Sequence, residues 1–433
     1  MSAVVNQELL EAAVDRIADD NLTALRKKAV ASFGKTGFPS VKNEDWRYTD
    51  LSPAAELSNI HLGTAEGTDS ESQLTDSQIA DWIGDIDAHW IVLSNGIADA
   101  RSSAALSALA DAGVAITPLS ENTESVQVTI DDPLTSFNAS LLNDGLVIRV
   151  AENTKLDKPI GLLLLHNAAS SSGMSQTRLV VEVGQNAVVQ FVEMQVSAGD
   201  SPYFANSVMQ LDLAAGAQAD IVRMQSCNDE HIQISKVIAQ INEDVVLQYA
   251  TIDVGGHLVR SDIVANIVGA RSRVEISGVF LADGRQHIDN HILTDHTVGP
   301  AKSIQNFRGI IGGRARCVFN GKAIVREGAD GSDAEQTNHN LLISDTAEID
   351  TKPELEIFAD DVKCSHGATV GQLDKAAIFY LRSRGLSYEQ ATILLTRAFT
   401  GHILAQLPID AVKNHVDKLV ERKLDAMTET AAQ

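Results

Sequence analysis

Cys364 and His366 stand either side of Ser365 in the stretch D-D-V-K-C-S-H-G-A-T-V-G, from Asp360 to Gly371. On extended backbone alternate side chains share a face, so a thiol and an imidazole at i and i+2 are presented together. Both bind iron or zinc, and a thiolate is also the handle for sulfide chemistry. Two donors do not fill a site, since structural zinc takes four ligands and iron–sulfur clusters use four cysteines or mixed cysteine and histidine sets. If the pair holds metal, the missing ligands come from elsewhere, most simply from a partner chain. The same residues also suit a packed core, because free cysteine is among the most buried residue types and a single histidine near a strand end is often just hydrogen-bonded there. Spacing alone leaves both readings open.

Two further patterns compete for chemistry. His287, Asp289 and His291 lie at i, i+2 and i+4, followed by Asp295 and His296. On a strand the first three share a face, which suits a metal or acid–base work in a solenoid carbohydrate-active or metal-dependent enzyme. The cluster lacks a distinct nucleophile or a phosphate cradle, and exposed solenoid faces are commonly polar. The run Ala29 to Thr36, A-V-A-S-F-G-K-T, resembles a relaxed P-loop. A working P-loop follows a strand and opens a helix, so that backbone N–H groups face the phosphates. This one follows a helical pattern and runs into Gly37, Phe38 and Pro39, so a nucleotide site is not expected.

The elements that must position these residues are set first by size and charge. A chain of 433 residues with 44% hydrophobic and 21% charged residues reads as globular, in two or three domains. A formal net charge of −24 disfavours nucleic acid and anionic membrane surfaces. No apolar run reaches membrane-spanning length, and no basic segment followed by an apolar run opens the chain. Three cysteines, Cys227, Cys317 and Cys364, far apart and odd in number, suit a reducing cytoplasm rather than a disulfide framework. Cys227 and Cys317 sit in apolar strand patterns and read as packed core.

Apolar residues at helical spacing predict a helix over 7–33. The segment N-E-D-W-R-Y-T-D-L, Asn43 to Leu51, reads as an aromatic-rich arm that anchors to its own domain or forms a binding surface. Gly63 to Asp76 reads as a solvated linker, followed by a strand over Trp90 to Leu93, a helix over Ala104 to Ala110 and a strand over Val114 to Ile116. From about Leu146 to Val362, apolar runs alternate with Gly, Asn and Asp turns. A strand–turn–strand theme recurs at 183–192, 213–224, 241–252, 267–279, 310–325 and 343–358. Recurrence every few tens of residues predicts stacked coils, each burying its apolar face on the next; a β-sandwich is the competing architecture. The division is 1–145, a helical and small α/β region; 146–365, the β-core; and 366–433, a helical domain. In the last, Ser387 with Gln390 makes a capping box, Leu394 and Ile403 are candidate partner-docking residues, and Pro408 opens a final helix.

The run Gln336 to Gly385, with D-D-V-K-C-S-H-G-A-T-V-G-Q-L-D inside it, closely resembles the SufD branch of the SufB/SufD family, part of the Suf iron–sulfur cluster assembly system. The N-terminal N-E-D-W-R-Y-T-D-L shares that likeness, which extends over essentially the whole chain. The resemblance implies a mainly β protein with a right-handed β-helix core flanked by helical N- and C-terminal domains. It implies a non-catalytic scaffold subunit in a SufBCD-like complex, associated with iron acquisition, with a SufB-like sister across the β-helix and a SufC-like ABC ATPase on the C-terminal helices. His366, with Cys364 beside it, would be this chain's ligands to iron or a nascent cluster shared with the sister, none being held tightly by the isolated chain. When isolated, an exposed β-helix edge makes a homodimer plausible.

Overall fold

In a computed structural model that describes residues 5, 7–17, 19–63, 74–122, 132–168 and 172–431, the chain winds two parallel sheets into one solenoid and lays helices on their outer faces. The N-terminal part holds α1 (Gln7–Val14), α2 (Thr23–Thr36), α3 (Ser52–Gly63), α4 (Asp76–Ile83), α5 (Ser103–Asp111) and α6 (Pro133–Ser140), with β1 (His89–Ser94), β2 (Ile97–Ala98) and β3 (Val114–Pro118). The coils begin with β4 (Leu146–Val150), β5 (Ile160–Asn167), β6 (Gly173–Val183), β7 (Val188–Ala198), β8 (Tyr203–Leu213), β9 (Gln218–Gln225), β10 (His231–Ile241) and β11 (Val246–Asp253). They continue with β12 (Leu258–Ile267), β13 (Arg273–Ala282), β14 (His287–His296), β15 (Lys302–Ile311), β16 (Arg316–Val325), β17 (Asp333–Leu342), β18 (Glu348–Ile357) and β19 (Lys363–Gln372). The C-terminal helices are α7 (Lys375–Ser383), α8 (Tyr388–Leu404) and α9 (Lys413–Ala431).

Odd-numbered strands from β5 to β19 form one sheet and even-numbered strands from β4 to β18 the other. Each strand pairs in parallel with the strand one coil on: Val246 lies beside Arg273 and Lys302 beside Asp333. Parallel pairing across a whole coil decides for the solenoid over a sandwich. Because strand period is two, inward positions stay aligned from coil to coil. One inward column runs Ile160, Phe191, Ile221, Tyr249, Ile276, Gln305, Gln336, His366. It is apolar for most of its length and becomes polar toward the last coils.

The outer face of the odd sheet carries Leu163, Val192, Val222, Val279 and Ile310, buried under Ile403, Val412, Val416, Val420 and Leu424 of the C-terminal region. The even sheet buries Phe204, Ile232 and Leu258 under Leu10, Phe33 and Phe137 of the N-terminal helices. At its N-terminal end the solenoid is closed by short antiparallel strands, β2 on β1 and β3 on β4. At its C-terminal end β18 and β19 are the outermost strands of their sheets.

Several sequence expectations change. The helix read over 7–33 is two helices, broken where Asp20 folds back: its carboxylate accepts from Leu22 N at 2.8 Å and from Arg26, and its own N–H donates to Thr23 Oγ1. An aspartate that satisfies nearby backbone in this way competes with helix continuation. The P-loop-like run does not change: it lies within α2, with helix before it as its sequence context indicates. Pro408 precedes a 3-10 turn, Asp410–Val412, and the last helix starts at Lys413. Of the linker read over 63–76, residues 64–73 lie outside the described residues, and Asp76 already opens α4. The border expected at residue 365 falls inside β19, which continues to Gln372. The repeats at 310–325 and 343–358 lead into the even sheet, whereas the first four lead into the odd one.

Candidate functional site at the open coil

β19 lies on β17 in parallel register, Ala334 beside Cys364 and Gln336 beside His366. Ala334 and Gln336 are buried inward side chains of β17, so Cys364 and His366 share the inward face of the terminal coil. Among the described residues, no later coil covers that face. His366 is exposed and Cys364 half-buried, its sulfur side packed near Ala323, Val325 and Ala334. Burial pushes the Cys364 thiol up, opposed by a backbone hydrogen bond at Ala334. Below His366, Gln336 donates to Gln305 Oε1 at 3.3 Å, while its own Oε1 is buried with no hydrogen-bond partner among the described residues. The polar column beneath the pair was not legible in the sequence, because it needs the coil register.

Other inward residues of the last coils also reach the open end: Leu355 and Ile357 of β18 and Val370 of β19, with Ile357 and Val370 44% and 49% exposed. A thiol and an imidazole thus sit on an apolar rim with an unpaired strand edge. Donors of this kind suit iron or a thiolate-ligated cluster, and two of them are half a coordination sphere.

His287, Asp289 and His291 do share a face, and it is the outer one, covered by the Asn43–Leu51 arm. Thr49 donates to Asp289 Oδ2 at 2.5 Å and lies 2.8 Å from His287 Nε2. Arg260 donates to Asp289 Oδ2 and to Asp45 O, with its guanidinium 3.7 Å from the Trp46 ring centroid. Burial opposes the Asp289 charge, but His291 and Arg260 outweigh it and hold the carboxyl well below the usual carboxylate range. The arm is therefore an anchor, and the cluster is what it anchors to.

Of the helical pair, Leu394 is 48% exposed, whereas Ile403 is 1% exposed and packs on the odd sheet. Ile403 belongs to the core, because it faces the sheet. Exposed apolar neighbours on the same helical pair are Phe379 and Tyr380 of α7 and Tyr388 of α8. Cys317 is an inward core residue of β16, its thiol pushed up to about 12 by burial. Cys227 is equally buried but lies in the turn between β9 and β10, outside any strand.

Residues 7–162 match the family described as SufBD protein N-terminal region, and residues 165–399 the SUF system FeS cluster assembly SufBD core domain. An iron–sulfur cluster assembly SufBD family protein of Synechocystis is 31% identical over 437 residues, covering 95% of this chain and 93% of its own length. The iron–sulfur cluster assembly protein SufD of Escherichia coli is 28% identical, covering 90% of each chain, and that of Bacillus subtilis 24% identical, covering 69% of this chain and 68% of its own.

Proposed function

The chain belongs to the SufBD family and is a subunit of SUF iron–sulfur cluster assembly, and from that premise we propose that it is a non-catalytic scaffold whose open coil completes a cargo site with a sister subunit. The carrying observation is the placement of Cys364 and His366 on the uncovered inward face of β19. Iron or a nascent cluster is the cargo; the thiolate and imidazole of this chain supply part of its shell and a SufB-like sister supplies the rest. The sister packs against the β18–β19 edge, extending the solenoid and covering Ile357 and Val370. A SufC-like ABC ATPase docks on the exposed apolar face around Leu394, so that nucleotide is bound by the partner. The complex works in the cytoplasm, with 1–145 and the helices after Gln372 flanking the solenoid as its two helical parts.

The test is co-expression with the sister and the ATPase, then iron and acid-labile sulfide analysis of the purified complex. His366→Ala leaves subunit stoichiometry unchanged and lowers iron and sulfide about tenfold, the scale expected when a metal site loses part of its support. Wild-type iron and sulfide in that variant would remove the ligand role.

A further inference from the structure

We propose that His166, Cys227 and His231 form a binding site for one soft or borderline transition-metal ion inside the solenoid, separate from the Cys364–His366 edge. The thiol and one ring nitrogen from each histidine lie within 4.8 Å of one another, and all three residues are buried. They come from three places in the chain: His166 near the end of β5, His231 at the start of β10, and Cys227 in the turn that precedes it.

Among the described residues, one ring nitrogen of each histidine is left free, whereas the Cys227 thiol hydrogen-bonds with the Gln225 and Ser197 side chains. His231 Nε2 lies 3.0 Å from Gln233 Oε1, and Gln233 is oriented by its amide, which donates to Ser235 Oγ at 3.1 Å and Ser207 Oγ at 3.3 Å. An amide oxygen accepts, so Nε2 carries the proton and Nδ1 presents its lone pair. Among the described residues, that Nδ1 is buried with no hydrogen-bond partner, and so is His166 Nε2. A buried polar atom without a partner is costly, and a metal ion between the rings answers both. A histidine fixed through its other nitrogen is the usual arrangement around a metal. The rings are held in place: His166 and His231 have centroids 4.9 Å apart, and Tyr203 stacks on His231 at 5.6 Å with 9° between planes. Tyr203 is tied by its hydroxyl, which donates to Asn95 Oδ1 at 2.8 Å. Backbone clamps the turn as well, since a Cβ on Gly255 would stand 2.2 Å from the Cys227 carbonyl oxygen.

Nitrogen and sulfur ligands at about 2.0–2.3 Å from an ion are separated by roughly 3.3–3.8 Å in trigonal or tetrahedral geometry. Starting from donors within 4.8 Å of one another, closing onto an ion calls for about 1.5 Å of contraction at most. One thiolate with two neutral imidazoles selects zinc, ferrous iron or cuprous copper over calcium and magnesium, which prefer oxygen donors.

Cobalt(II) is the probe, titrated into a Cys364→Ser, His366→Ala background so that the edge contributes no ligand. The background takes up one cobalt per chain with thiolate-to-cobalt charge-transfer absorption. Cys227→Ser abolishes that absorption, and His231→Gln weakens uptake at least about tenfold, while metal-free circular dichroism stays unchanged. Should either variant fail to fold, cobalt-edge X-ray absorption of the loaded background decides, with one sulfur and two imidazoles expected. No charge-transfer absorption in the background, the same absorption in Cys227→Ser, or a shell without sulfur would overturn the proposal.

Discussion

Side chains at alternate positions of one strand can be read from sequence as sharing a face; what they touch cannot. His287, Asp289 and His291 illustrate the difference. Their common face follows from period two, but Thr49, which bonds Asp289, is 240 residues away in the chain. Cys364 and His366 share a face for the same reason, and it is their register on the buried Ala334 and Gln336 that puts that face inward on the last strand of its sheet. Next to the outward trio, His296 points inward, its Nε2 2.7 Å from Ser303 Oγ. Burial lowers its pKa from 6.5 to about 4, against the pull of Asp295 and Asp333. The unfolded chain therefore takes up this proton first as pH falls. The resulting loss begins near pH 6.5, deepens down to about pH 4 and then levels, reaching about 3 kcal/mol for a shift of this size. Urea unfolding at pH 7 and pH 4.5 checks it: the fall in stability is smaller by about 2–3 kcal/mol in His296→Gln. An equal fall in both proteins would show that His296 does not carry the acid sensitivity.

At the scale of elements, the regular parts were legible and the joints were not. The strand–turn–strand recurrence in the sequence marks real corners, but β14 and the corner from it into β15 escaped it. There, polar residues such as His287, Asp289 and His291 occupy the outer face because the arm covers it, which breaks the apolar signature. The capping box of Ser387 and Gln390 appears as expected, with both reciprocal bonds formed. A helical stripe alone, however, did not separate Leu394 from Ile403. The two should now behave differently under the same change. Ile403→Asp buries a charge against the odd sheet and costs about 4 kcal/mol or more, whereas Leu394→Asp stays within about 0.5 kcal/mol in chemical denaturation. In pull-downs with the proposed SufC-like ATPase, Leu394→Asp loses binding while remaining folded. Retained binding would move the docking surface away from this face of α8.

The whole molecule has one closed end and one open end, and the sequence could not distinguish them because closure depends on which strands fall last in each sheet. Short antiparallel strands finish the N-terminal end, whereas β18 and β19 leave backbone donors and acceptors and the rim residues Ile357 and Val370 uncovered. A parallel edge of this length is an invitation to pair, which native folds blunt unless a partner is meant to use it. When the chain is alone, a second copy offers an edge of matching length and polarity. The isolated chain should therefore sediment as a symmetric dimer at micromolar concentration, joined through β18 and β19. Val370→Lys places a charge on the shared rim, where two copies bring like charges together, and should shift the species to monomer with unchanged thermal stability. A wild-type chain that stays monomeric as concentration rises, or a Val370→Lys dimer as tight as wild type, would mean the open coil is not a pairing surface, and the half-site on its inward face would then lack the neighbour needed to complete it.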